Sequence, residues 1–182
     1  KVDIRDEAAA RAALADLEGR ALRVGDIRIR PVTRRALPPF TTSTLQQAAG
    51  SMLKMSASKT MQLAQQLYEG VDLGDSGPVG LITYMRTDSF NVAAEAQSAC
   101  QTYIASACSP DFVPEKPNFF RSRSGAQQAH EAIRPTDVEM TPDKASKFLD
   151  ASQLRLYSLI WKRFVASQMA QAVYRRTVVE VE

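Results

Sequence analysis

Cysteine and histidine are nearly missing from this 182-residue chain, which holds two cysteines, Cys100 and Cys108, and one histidine, His130. With no C-x-x-C spacing and a single imidazole to join the thiols, no metal site is expected from this chain's own residues. If both cysteines share a helix, a rise of 1.5 Å per residue sets them about 12 Å apart, too far for a disulfide, so both read as reduced thiols of a cytosolic protein. No apolar run approaches the roughly 20 residues that span a bilayer, and the opening "KVDIRDEAAA" has no signal-peptide core, so no membrane partner is expected. Internal repeats and low-complexity segments are also lacking. The missing initiator methionine and the ragged ends read as those of an excised fragment. Excess charge of one sign is modest: 23 Lys plus Arg against 20 Asp plus Glu give a net charge of +3 and a pI near 9.0, a mild preference for a polyanionic partner.

What is present suffices for a core, since 45% of residues are hydrophobic in a chain near the size of one domain. Residues 6–18, "DEAAARAALADLE", are rich in helix formers and stop at Gly19. In "RALRVGDIRIRPV", Leu22, Val24, Ile27 and Ile29 alternate with polar residues around a Gly25-Asp26 turn signal, the pattern of a half-buried strand pair. At the far end, "YRRTVVEVE" sets Thr177, Val179 and Val181 on one face and Val178, Glu180 and Glu182 on the other. The two terminal strand segments are expected to pair.

Between them the period turns helical. Ser43 with Gln46 fits a capping box before "TLQQAAGSML", and Ser56 or Ser58 suits the start of "KTMQLAQQLYE", which ends at Gly70. "GVDLGDSGPVG" is a glycine-rich loop delivering the chain into Leu81. Val92, Ala96, Ala99, Cys100, Tyr103, Ile104 and Ala107 mark an amphipathic helix. Residues 109–125, with Pro110, Pro114 and Pro117, read as an irregular excursion. Thr141-Pro142 is a helix start. A last helix runs from about Gln153 to Gln168, and its stripe of Leu154, Tyr157, Trp161, Phe164 and Val165 reads as core packing.

Two patches carry chemistry. If "LITYMRT" is extended, Tyr84 and Arg86 face one side and Met85 the other. A phenol is a poor nucleophile near neutral pH without a cation or base beside it, and Arg86 is a candidate for that role or for a non-bridging phosphate oxygen. The plain reading is a core tyrosine beside a surface arginine. In "AQQAHEAIRPTD", residues 126–137, one helical turn would place His130 and Arg134 on a shared face suited to phosphate. The plain reading there is a structural histidine with a Glu131–Arg134 surface ion pair.

"FTTSTLQQAA", "SKTMQLAQQLYEG", "GLITYMRTDS", "AHEAIRPTD" and "LYSLIWKRFVASQM" occur in this order over residues 38–170, and together they resemble the bacterial type IA DNA topoisomerases. The resemblance implies that Tyr84 attacks single-stranded DNA to form a 5′-phosphotyrosine link, that a strand passes, and that the 3′ hydroxyl reseals the break, relaxing negative supercoils without a nucleotide cofactor. It implies that Arg86 assists at the scissile phosphate and that His130 and Arg134 contact DNA backbone. It implies a mainly α fold, a helical winged-helix or CAP-like domain with short strand stubs at both termini from a neighbouring β-rich arch. The expected divisions are 1–37 as arch helix and strand, 38–170 as the tyrosine domain, and 171–182 as the returning arch strand.

In that family Mg2+ is bound by acidic residues of a separate Toprim domain. No D-x-D run occurs here, and Asp72 and Asp75 have the wrong spacing, so the fragment is expected to bind no metal and to be inactive alone. The implied partners are single-stranded and negatively supercoiled DNA and the Toprim and remaining domains of the same polypeptide, in a nucleoid-associated cytoplasmic enzyme. The unpaired edges of the strand stubs leave self-association open. The alternatives are a non-catalytic single-stranded DNA-binding module in which Tyr84 stacks on a base, and a helical interaction domain indifferent to DNA. One histidine argues against a relaxase, and the context of Tyr84 does not fit a tyrosine recombinase.

Overall fold

The computed structural model describes residues 3–74, 77–121 and 130–182. It divides into two compact units, one made of Lys1–Thr33 with Val173–Glu182 and the other of Arg34–Ala172.

The first unit holds helix α1 (Glu7–Leu17) and a two-stranded sheet of β1 (Val24–Arg34) and β4 (Ala172–Val181). Asp6 caps α1 by accepting from the Ala9 amide at 2.8 Å, and Gly19, at φ 78°, takes the left-handed turn that lets the chain leave the helix. Arg23 and Glu182 exchange two backbone hydrogen bonds of 2.9 Å, the signature of an antiparallel pair, so the terminal strands do meet. The expected turn at Gly25-Asp26 does not form, because β1 runs straight through it. A Cβ on Gly25 would lie 2.6 Å from the carboxylate end of the exposed Glu182 side chain across the ribbon, so Gly25 sits inside the strand pair and does not reverse the chain. No residue of α1 is buried, and Ile27, Ile29, Val173 and Val181 are each more than half exposed.

The second unit is mainly helical. Its elements are α2 (Thr42–Ala48), a π-helical turn at Ala49–Leu53, α3 (Ala57–Glu69), the short pair β2 (Val71–Asp72) and β3 (Pro78–Val79), α4 (Ala94–Ala107), a 3₁₀ turn at Pro110–Phe112, α5 (Pro142–Ala145) and α6 (Ala151–Ser167). The cap of α2 is Thr41, not Ser43: Thr41 and Thr44 form the reciprocal box, and the helix starts at Thr42, whose amide is held by the Thr87 carbonyl at 2.9 Å. Ser56 caps α3 and Thr141 caps α5, as their spacing predicts. Within the glycine loop, Val71 pairs with Val79 and Asp72 with Pro78, a small hairpin that composition alone did not reveal. Asp75 and part of the 109–125 excursion lie outside the described residues.

The core sits where α3 packs on α6. Phe40, Leu45, Leu63, Leu67, Ile82, Met85, Ile133, Tyr157 and Ile160 are fully enclosed, and burial of side chains this size contributes about 1.5–3 kcal/mol apiece. A second cluster joins Cys100 and Ile104 of α4 to Phe164 and Val165 of α6. The aromatic stripe of α6 is core: Tyr157 donates its hydroxyl to the Met140 carbonyl at 2.6 Å, and Trp161 donates its indole N–H to the Val138 carbonyl at 2.9 Å. Each polar tip therefore finds a partner inside. No described helix is long and apolar enough to cross a membrane.

Candidate active site

The stretch Leu81–Ser89 alternates as its sequence predicts. Tyr84, Arg86 and Asp88 face outward, while Met85, Thr87 and Ser89 are buried. It is not a strand within a sheet, because its only bridge joins Ile82 to Pro135. The extended backbone is instead held from two sides. Thr42 donates its hydroxyl to the Met85 carbonyl at 2.7 Å and accepts from the Thr87 amide at 2.9 Å. On the other side the Thr83 hydroxyl donates to the Ala132 carbonyl at 2.7 Å and accepts from the Arg134 amide at 3.0 Å. Two half-buried threonines thereby give the Tyr84 segment the backbone partners that a sheet would supply.

Residues 131–136 run extended against this segment, bridging Phe40 through Ile133 as well. The helical turn expected at His130–Arg134 is therefore absent. Backbone groups of Ala132, Ile133 and Thr136 are committed to Asn91, Phe40 and Leu81, at 2.8 to 3.0 Å, and no intrahelical ladder competes with that. Of the patch "AQQAHEAIRPTD", residues 126–129 lie outside the described residues.

An open cleft of about 300 Å³ is lined by Tyr68, Thr83, Tyr84, Thr87, His130 and Glu131. The structure thus brings Tyr84 and His130 to one cleft although 46 positions separate them in sequence. Tyr84 is 45% exposed, and the Tyr68 ring meets it edge to face at a centroid distance of 5.3 Å. Arg86 is exposed on the same side of the segment, does not line the cleft, and pairs with no described residue.

Arg134 is placed differently. Its guanidinium is nearly buried and pairs with Glu131 at 2.7 Å, while a second nitrogen donates to the Pro135 carbonyl at 3.0 Å. The other oxygen of Glu131 accepts from the Ala93 amide at 2.6 Å. α4 has no capping side chain of its own at Ala93, so this distant carboxylate serves its positive end. What the sequence offered as a surface ion pair is an inward clamp between the His130 segment and α4.

Tyr68, Thr42 and Thr83 were not singled out from sequence. Tyr68 sits inside a helical pattern whose periodicity carries no hint of a partner beyond the glycine loop. Among the described residues no group of three His, Cys, Asp or Glu side chains is arranged to hold a metal ion. The one carboxylate of the cleft has both oxygens engaged, so these residues do not fit a Mg2+ site.

A family model described as DNA topoisomerase matches residues 1–182. The chain belongs to the bacterial DNA topoisomerase family. It is similar to DNA topoisomerase 1 of Xylella fastidiosa, 47% identical over 161 residues that make up 88% of this chain and 20% of that protein. It is also similar to DNA topoisomerase 1 of Campylobacter jejuni, 50% identical over 137 residues, 75% of this chain and 19% of that one. Among solved structures, full-length topoisomerase I from Thermotoga maritima matches with a TM-score of 0.79 at 41% identity, over 92% of this chain and 26% of that chain. This topoisomerase segment spans about a fifth of the length of the curated relatives it matches. The mainly α unit with small antiparallel pairs is the fold of that segment.

Proposed function

We propose that this chain is the tyrosine-bearing part of a type IA DNA topoisomerase, acting on single-stranded and negatively supercoiled DNA, with Tyr84 as nucleophile. The carrying observation is that Tyr84, half exposed on a segment pinned from both sides, shares a cleft with His130. In the step proposed, the Tyr84 phenolic oxygen bonds to the phosphorus of a phosphodiester, and the bond to the 3′ oxygen breaks. That oxygen leaves as a hydroxyl after gaining a proton. Return attack by the 3′ hydroxyl restores the phosphodiester and the phenol, so no external energy source is needed. Rigid placement matters because about 1 Å of misplacement costs on the order of a hundredfold in rate.

Arg86, exposed and without a partner among the described residues, is read as the cation for a non-bridging oxygen, and His130 as a contact that positions backbone phosphate. Arg134 was expected to touch phosphate. Its engagement with Glu131 favours a positioning role, holding the segment that carries His130. The second unit is read as the winged-helix or CAP-like domain, and the β1–β4 pair as strands of the neighbouring arch. We assign the family's Mg2+ to a Toprim domain of the same polypeptide, in a nucleoid-associated cytoplasmic enzyme, and derive no step through it.

The test mixes labelled single-stranded DNA and Mg2+ with this chain, alone and with a separately expressed Toprim-containing segment, and seeks a denaturant-resistant adduct. Adduct on Tyr84 only in the mixture, lost in Tyr84→Phe, is expected. Robust relaxation by this chain alone overturns its proposed inactivity. Binding with no adduct in any tube overturns the catalytic reading in favour of a non-catalytic single-stranded DNA-binding module.

A further inference from the structure

A second cleft, of about 330 Å³, lies beyond the Tyr84 segment and is lined by Phe90, Asn91, Gln97, Asn118, Phe119 and Phe120 among others. Its size falls at the lower end of small-ligand pockets. Its lining is mixed, with the phenyl rings of Phe90, Phe119 and Phe120 beside the carboxamide residues Asn91, Gln97 and Asn118. Phe119 is 80% exposed, although most phenylalanines in this chain are covered to a greater extent.

The polar wall is preorganised. Asn118 donates both amide hydrogens to backbone carbonyls, to Ser167 at 2.9 Å and to Met169 at 2.7 Å. Gln97 donates to the Asn118 carbonyl at 3.0 Å. Phe119 therefore leaves a fixed point of the fold.

The cleft is also tied by hydrogen bonds to the segment that carries His130. Phe90 follows Tyr84 by six residues, which span at most about 20 Å even when extended. The Asn91 carbonyl accepts from the Ala132 amide at 2.8 Å, and the Ala93 amide donates to Glu131. One wall of the aromatic cleft is thus stitched to the residues that flank His130.

We infer that this cleft is a nucleobase subsite, in which one unpaired base of the bound DNA strand stacks on the exposed ring of Phe119. Every base has a π face and a polar edge, and stacking on aromatic side chains is the sequence-tolerant way to hold a single strand. The inference rests on the reading of this chain as part of an enzyme of single-stranded DNA, and it adds a contact outside the Tyr84 cleft.

The test uses the full-length polypeptide carrying this chain, with Tyr84→Phe to hold the complex non-covalent, and a set of oligonucleotides with an abasic site moved one position at a time. Phe119→Ala is expected to weaken the intact oligonucleotide about tenfold. At one abasic register the same substitution is expected to change affinity less than twofold, because the base it served is already gone. Phe119→Trp restores the register dependence and guards against a folding artefact. A uniform effect at every register, or no effect of Phe119→Ala on the intact strand, overturns the subsite. Because the readout is binding without chemistry, it is independent of whether Tyr84 forms an adduct, and failure of the catalytic reading shows separately in the adduct assay.

Discussion

The rings of Tyr68 and Tyr84 meet edge to face, 5.3 Å between centroids and 63° between planes. Tyr68 belongs to the last turn of α3, and the loop after it returns so that the Leu81 amide donates to the Leu67 carbonyl at 2.7 Å. The tyrosine proposed to react is thus braced by another tyrosine on a helix anchored in the core.

Such a pair contributes about 0.5–1.5 kcal/mol beyond burial. Tyr68→Ala is expected to slow adduct formation roughly tenfold in single-turnover assays with little change in oligonucleotide affinity, while Tyr68→Phe keeps the rate within about twofold. An unchanged rate in the alanine variant would show that the brace does not matter.

Thr42 is the clip on the other side of the segment. Thr42→Val leaves the Met85 carbonyl without its donor and the Thr87 amide without its acceptor, at a cost of about 1–3 kcal/mol. A lower urea midpoint is expected, with faster hydrogen exchange at the Thr87 amide. Wild-type exchange there would contradict the clip.

Arg86 and Arg134 separate by salt dependence. Loss of a phosphate contact lowers the slope of log K against log salt by about one, so Arg86→Ala is expected to do so. Arg134→Ala is expected to leave the slope alone and to destabilise the fold by about 2 kcal/mol, because Glu131 loses its partly buried counter-charge. Arg134→Lys recovers only part of this, since an ammonium does not reproduce the fork to Glu131 and Pro135. A slope change of one in Arg134→Ala would restore it as a phosphate contact.

Burial pushes the Cys100 thiol up to about 12, with the neighbouring Cys108 adding to the shift. Burial raises the Tyr103 and Tyr157 phenols as well. A thiol kept protonated in the fold but free to ionise when unfolded contributes stability that is complete below about pH 9 and fades as pH climbs toward 12. Thermal melts in reductant are expected to fall across that window, and Cys100→Val is expected to flatten the fall. At pH 8, iodoacetamide should label exposed Cys108 and spare Cys100 in the native protein.

The face of Tyr84 was readable from sequence because period-two burial shows in side-chain type: Met85 between two polar neighbours is a sufficient signal. The longer helices were readable for the same local reason, as were the caps at Ser56 and Thr141, whereas the caps at Asp6, Thr41 and Asp150 were not. The failures are tertiary. Residues 130–134 look helical in isolation, yet Ile133 and Ala132 are claimed by Phe40 and Asn91, partners about ninety and forty positions away. Gly25-Asp26 looks like a turn because the strand that pairs with β1 lies more than 140 positions away in sequence. Tyr68 and the aromatic cleft at Phe119 depend on which helix end meets which loop, and no spacing rule reports that.

The β1–β4 ribbon joins residues at opposite ends of the chain, with the whole helical unit between them. Closing so long a loop first would cost entropy with only a two-stranded ribbon in return, and such a ribbon is marginal by itself in water. The order of events during folding follows from this. The helical unit, built on nearer contacts, is expected to condense first and shorten the effective loop, with the ribbon zipping afterwards, so native-state hydrogen exchange is expected to be fastest in the ribbon.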